Sequence, residues 1–323
     1  MTSSPLEVAS SPYDVSPGFR GPARPPGGGR AAAVARRAAG AEASAHRGGP
    51  ARGTGRARPR RVRGPAGGGA AALDTAVVLA AVAAATERIT VVGAGYAPGL
   101  RPPSQAAEQI AGLQHVADGR LVLGVGTGGG RERWTAAGVP YEERERRTDT
   151  ALRLLPRLLA GERVPLPYGP GYPVVEPEFA VPMPPVWIAG TSRSAVRRAA
   201  HLGDGWFPSL TSAAQVAEGS VRLAELAAAL GRPAPAVIVG TTGVLGTEPG
   251  LPTGADLAAD LASAHGFPPG RFAGAPVTGG PREAAERLHR YCGAGVTRVL
   301  MDIAGGDWRH QVELLADVRA LLR

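Results

Sequence analysis

From Leu73 onward the chain alternates short β-branched runs with amphipathic helical stretches, and this alternation limits its fold more than any other feature. It predicts βαβ units on a parallel sheet, because parallel neighbours must be joined by a crossover that packs on one face. Six strands are predicted, at Ile89–Val92, Leu121–Val125, Val186–Ala189, Gly205–Phe207, Ala236–Val239 and Arg298–Asp302. Helices are predicted at Ser104–His115, Glu143–Ala160, Ser194–Leu202, Ala213–Leu230, Arg282–Ala294 and Trp308–Leu322. The last places Val312, Leu315, Val318 and Leu322 on one face, suited to the outside of a sheet. Gly/Pro-rich insertions at 161–184 and 245–280 are expected as rim loops. The 323 residues suffice for a doubly wound sheet or most of an eight-stranded barrel, and periodicity does not separate the two.

Residues 1–72 follow different physics. They hold 14 Gly and 9 Pro but only six residues of the Leu/Ile/Val/Phe set, too few to offset ordering entropy, so disorder is expected. The whole net charge of +9 also sits here, as 12 arginines against Glu7, Asp14 and Glu42, while residues 73–323 balance 24 arginines with 24 acids. An Arg-rich segment invites non-specific binding of RNA or DNA, but single-strand recognition also uses aromatic stacking beside the basic residues. Tyr13 and Phe19 are remote from the Arg56–Arg61 cluster, so a nucleic-acid partner is not expected.

All 36 basic residues are arginine, with neither Lys nor Asn anywhere, as codon choice in a GC-rich bacterial genome would produce. One cysteine, Cys292, rules out an internal disulfide, and no metal-ligand spacing is present. The nearly apolar run Leu73–Ala85 is 13 residues, short of the roughly 20 that span a bilayer. With no apolar core in residues 1–17 for an export signal, a reducing cytoplasm is the expected location.

Two glycine-rich stretches directly follow strands and precede helices, so that backbone N–H groups and a helix N-terminus would face an anion such as a phosphate. The stronger is Gly190-Thr191-Ser192-Arg193-Ser194, which combines small hydroxyl residues, a close-approach glycine and an arginine. Helix capping by Thr191 or Ser192 is the alternative use of the same residues. The other, Gly124-Val125-Gly126-Thr127-Gly128-Gly129, also fits GxGxxG, with Glu145 as a ribose ligand. That dinucleotide reading is weak, because Glu145 lies in a charged run typical of a solvated helix start. GxSxG is absent, so a serine hydrolase is unsupported. His115, His201 and His289 fall in helical segments and are expected at the surface or core edge.

Gly119–Gly129 and Pro185–Ser192 together resemble the bacterial luciferase-like monooxygenase family, and most closely its coenzyme F420-dependent branch. Further stretches that carry the resemblance are Ala84–Ile89, Gly138–Tyr141 with Arg147-Thr148-Asp149, and Gly203-Asp204-Gly205-Trp206. The resemblance covers roughly residues 74–323 and implies a (β/α)8 TIM barrel with the cofactor across the C-terminal strand ends. It implies hydride transfer between F420 and a small organic substrate, with an FMN-dependent monooxygenase as the alternative. Implied cofactor contacts are Gly126, Thr127 and Gly128, with Thr127 as hydroxyl donor, and Gly190, Thr191, Ser192 and Ser194 on the phosphate side. Gly93 and Ala94 correspond to a bulged strand whose non-prolyl cis peptide supports the ring. Tyr96 is expected either to line the substrate side or to pack. No catalytic residue and no metal ligand is assigned.

The family's first strand, helix and acidic/histidine-ended second strand have no counterpart in residues 1–72. This segment therefore reads as a replacement for them, through a frameshift or mis-assigned start, and an inactive remnant is a further alternative. A barrel short of two strands exposes two edges, which points to poor stability or a need for another subunit, such as a homodimer.

Overall fold

The computed structural model describes residues 7–11 (backbone only), 74–128, 130–167, 171, 173–265, 267–268 and 270–322. Most of the segment expected to be disordered thus lies outside the described residues. Within it, however, Glu7–Ser11 forms a strand, β1. The remaining sheet strands are β2 (Val91–Tyr96), β3 (Leu121–Val125), β6 (Val186–Ala189), β7 (Gly205–Phe207), β8 (Ala236–Leu245), β9 (Val277–Gly279) and β10 (Val296–Ile303). A small hairpin, β4 (Val164–Pro165) with β5 (Val174–Val175), stands apart.

The main sheet is parallel with strand order β1-β10-β8-β7-β6-β3-β2, and β9 pairs with β8. From β2 to β10 the strands follow one another in chain order without the reversal that marks a doubly wound sheet. The first strand then returns beside the last, Glu7–Ser11 in register with Arg298–Asp302. That is barrel topology. Curling is visible in the side chains too: Val92, Val122, Trp187, Phe207, Ile238 and Leu300, one from each of six strands, meet in a single inner cluster. No helix residue belongs to that cluster, so it is the curl of the sheet that buries it. Among the described residues no ladder joins β1 to β2, so the curled sheet stays open there.

The six predicted strands are all present, the first displaced toward its C-terminal end. One expected vacancy is filled: β1 stands where the missing first strand was anticipated. Alternate strand residues, among them Leu121, Leu123, Val125, Ile188, Val239 and Met301, face outward into the larger core shared with the helices. These helices are α1 (Thr75–Ala85), α2 (Pro103–Ala117), α3 (Arg131–Ala136), α4 (Arg144–Leu159), α5 (Arg193–Leu202), α6 (Ala213–Ala229), α7 (Gly254–His265), α8 (Pro281–Cys292) and α9 (Trp308–Leu321).

Two expectations need correction, and one helix was not anticipated. The Leu73–Ala85 run yields helix α1, whose Asp74 carboxylate accepts from the N–H groups of Ala76 and Val77. The 245–280 insertion is not only loop: it holds α7 and β9, and Ala258 and Ala262 of α7 pack with Phe272 and Ala275 despite the flanking glycines. On α9 the buried face is Gln311, Leu315 and Val318, while Val312 is 41% exposed. Polar Gln311 is inside because its amide exchanges two hydrogen bonds with the backbone of Leu245, at 2.7 and 2.6 Å.

Candidate functional site

Two positions beyond five of the six inner-cluster residues, on the same face and toward the C-terminal strand ends, stand Ala94, Gly124, Ala189, Gly240 and Asp302, while the sixth, Phe207, ends its strand. Four of the five carry a methyl group or nothing. The mouth of the curled sheet therefore has a shallow floor over β2, β3 and β6, with Ala94 exposed and Ala189 half-exposed. On β2 the register with β3 shifts between Ala94 and Tyr96, a bulge in which Gly95 adopts φ +112°. The bulge expected here is present. The expected cis bond is not: no cis peptide occurs among the described residues.

Gly93 points the other way. A Cβ there would lie 3.1 Å from Leu79 of α1, so its lack of a side chain serves helix packing on the outer face. Tyr96 is also turned outward, 4% exposed within the core, and its phenol is pushed up by burial, partly offset by Arg101. It packs and does not line the mouth.

The two glycine-rich turns lie side by side. Gly126 follows β3 and Ala189 ends β6, and a Cβ on Gly126 would sit 3.5 Å from that of Ala189. Gly190 adopts φ +118°, which L side chains rarely tolerate. Its N–H donates to Phe207 at 3.2 Å and its carbonyl accepts from the Trp206 indole at 2.8 Å. Ser192 caps α5, accepting from the N–H of Ala195 at 3.2 Å, and its hydroxyl lies 2.9 Å from that of Ser194. Capping is thus realised, and Thr191 and Ser192 remain exposed beside it. Gly128 is exposed, with its carbonyl taking the Trp134 indole N–H at 3.3 Å; Gly129 lies outside the described residues.

Thr127 has a partner that was not anticipated. Its hydroxyl donates to Glu145 at 3.2 Å, and the other Glu145 oxygen takes the Arg198 guanidinium at 2.5 Å. Arg198 also donates to Asp149 at 2.5 Å and is itself 5% exposed. Burial pushes the Glu145 carboxyl up, but the Arg198 and Thr127 hydrogen bonds outweigh it and hold the group below the ordinary carboxylate range. Burial likewise works against charge on Arg198, and its two carboxylates overcome it. With its proton committed to Glu145, the Thr127 hydroxyl has only lone pairs left to offer. Sequence reasoning set Glu145 aside as solvated. The available signal was the spacing of Glu145 and Asp149, four apart on one face of α4.

Asp302 was read only as the end of a strand, yet it is the one carboxylate among the described strand side chains and stands on the inner face, exposed, beside Thr242. His115, His201 and His289 are all exposed, away from this floor. No helix among the described residues is long and apolar enough to cross a membrane.

Fold and site together define an α/β barrel-type protein with a shallow mouth of small residues, bordered by two glycine-rich turns at the C-terminal strand ends. The luciferase-like monooxygenase family profile matches residues 30–248, and the chain belongs to that family. The match begins well before residue 74, where the resemblance was first read. An F420-dependent glucose-6-phosphate dehydrogenase from Beutenbergia cavernae is 35% identical over 135 residues, 40% of each chain. The chain spans less than half the length of the curated relatives it matches. Among solved structures, a monooxygenase from Streptomyces bottropensis superposes with a TM-score of 0.62 at 20% identity, covering 79% of this chain and 83% of that one. An F420-dependent secondary alcohol dehydrogenase in complex with an F420-acetone adduct gives 0.62 at 15% identity, covering 77% and 84%.

Proposed function

We propose that this protein is an oxidoreductase that holds a deazaflavin, coenzyme F420, across the ends of β2, β3 and β6 and exchanges a hydride with a small organic substrate. The observation that carries the reading is the floor of Ala94, Gly126 and Ala189, where a flat ring meets no side chain larger than methyl. In this reading the bulge at Gly93–Gly95 supports the ring from the β2 side. Thr127 accepts a hydrogen bond from a cofactor hydroxyl or N–H, while Gly190, Thr191, Ser192 and Ser194 receive the phosphate at the N-terminus of α5. When bound, the deazaflavin supplies the carbon that takes or gives the hydride.

Asp302 holds or accepts the proton that accompanies hydride transfer, as the carboxylate facing the mouth. The F420-dependent relative, 35% identical, favours F420 over FMN. Cys292, half-buried and pushed up by burial, stays a thiol in a reducing cytoplasm, where we place the protein.

Fluorescence titration of the full chain with F420 and, separately, FMN tests this. Stoichiometric F420 binding at least about tenfold tighter than FMN is expected, a difference of about 1.4 kcal/mol. Tighter FMN would move the protein to the monooxygenase reading, and binding of neither would overturn both.

A further inference from the structure

Outside the mouth, α5 and α6 pack side by side and leave between them a cleft of about 840 Å³ that starts at the Thr191–Ser194 turn. Its walls carry four guanidinium groups, from Arg193, Arg197, Arg222 and Arg271, against the carboxylates of Glu218 and Glu225. Glu225 is engaged by Arg222 at 3.1 Å. Arg193 and Arg197 make no ion pair among the described residues, although both are exposed and free to move toward an acid.

This arrangement works against the isolated fold twice. Arg193 and Arg197 are four residues apart on one face of α5, so two like charges are neighbours. Arg193 is also the first residue of that helix, whose opening turn has no acid, so a cation stands at the positive end of the dipole. An anion in the cleft relieves both. Below the arginines the floor is apolar, with Val196, Trp206 and Leu226, which strengthens attraction to whatever sits above it. The volume far exceeds one phosphate and lies within the usual range for small-molecule sites.

We propose that this cleft binds an extended oligoanion, a ligand with two or more anionic groups one to two helical turns apart. The first group sits by the Thr191–Ser194 turn and the next is gripped by Arg197 and Arg222. At its inner end the cleft shares the Thr191–Ser194 turn with the phosphate position of the proposed function, while Arg197 and Arg222 lie beyond it on the helix side, and the cleft is probed without a cofactor.

Calorimetric titration of the full chain with inorganic tripolyphosphate is the test. Binding is expected to be at least about tenfold tighter than that of inorganic phosphate, and to weaken about tenfold or more in R197Q/R222Q, because the charge-assisted contacts to the second group are lost. R290Q, which removes an exposed arginine on α8 remote from the cleft, should bind as the parent does. Equal weakening in R290Q, or unchanged binding in R197Q/R222Q with circular dichroism intact, overturns the proposal. Repeating the titration with saturating F420 separates two sources. Displacement identifies the oligoanion as a chain continuing from the cofactor, and simultaneous binding identifies it as a separate ligand and overturns the placement of its first group at the turn. Either result keeps the cleft as the site.

Discussion

The indole N–H of Trp206 donates to the carbonyl of Gly190 at 2.8 Å, so the strand after α5 pins the turn before it. Trp206 is 2% exposed, and Gly219 of α6 makes room for it, because a Cβ at 219 would lie 2.1 Å from the ring. The Gly203-Asp204-Gly205-Trp206 motif thus reaches the site through packing. Asp204 accepts from the N–H of Val186 at 2.8 Å and closes the start of β6.

Replacing Trp206 by Phe keeps most of the buried ring but leaves the Gly190 carbonyl without its donor. A stability loss of about 1–3 kcal/mol is expected from the unsatisfied group. Anion affinity at the turn should fall with it. Urea denaturation of W206F reads the first effect, and a loss below the resolution of that measurement would show that the bond does not hold the turn.

Thr127→Val removes the hydroxyl that Glu145 orients, whereas Thr127→Ser keeps it. F420 affinity should fall about tenfold in the valine variant, the worth of one buried hydrogen bond, and stay within about threefold in the serine variant. Equal losses in the two would assign Thr127 a role in shape alone.

The Glu145 carboxyl, held below its ordinary value by Arg198, contributes stability that is fully present above the unfolded value of about 4.3 and lost as pH falls through the folded one. The stability difference between the parent and E145Q should therefore be constant near neutrality, at about 1–2 kcal/mol because Asp149 still pairs with Arg198 and Glu145 is partly solvated, and shrink below about pH 4. Denaturation curves from pH 3 to 7 measure it. A difference that grows on acidification would reverse the sign of the argument.

Gln311→Leu should be among the most damaging single changes in the helical layer. It strands both the N–H and the carbonyl of Leu245 in the core, at about 2–4 kcal/mol for the two groups. Thermal unfolding of Q311L checks it, and a melting temperature within a degree or two of the parent would contradict it.

Asp302→Asn preserves shape and removes the charge facing the mouth. In the proposed function it should lower kcat about 10²-fold or more while leaving F420 affinity within a few-fold, as expected for a group that moves a proton. Steady-state kinetics on substrates screened against the F420-loaded chain provide the measurement, and an unchanged kcat would remove Asp302 from the chemistry.

How much was legible follows from which interactions are local. The strands Leu121–Val125 and Val186–Ala189 and the long helix Arg144–Leu159 between them were readable because β-branched runs and helical apolar spacing are properties of neighbouring residues, whereas the short α3 was not. The two glycine-rich turns were readable for the same reason: a glycine after a strand and a hydroxyl before a helix each mark a local backbone need. The N-capping of α5 by Ser192 was one of the two uses foreseen for it.

Direction and partnership were not legible. Nothing near Tyr96 in the chain says that it packs outward and does not line the mouth, since the bulge at Gly95 reverses the faces of β2 beyond it. Glu145 looked solvated because its own run is charged, and only a helix 53 residues away supplies the buried guanidinium that changes its environment. Glu7–Ser11 has no apolar pattern of its own and becomes a strand by borrowing the edge of β10. The sequence by itself determined the periodicity, the turns and the family to which the chain belongs. The tertiary structure alone decided which residues share the mouth, because strand curl and helix packing bring together groups that no spacing along the chain relates.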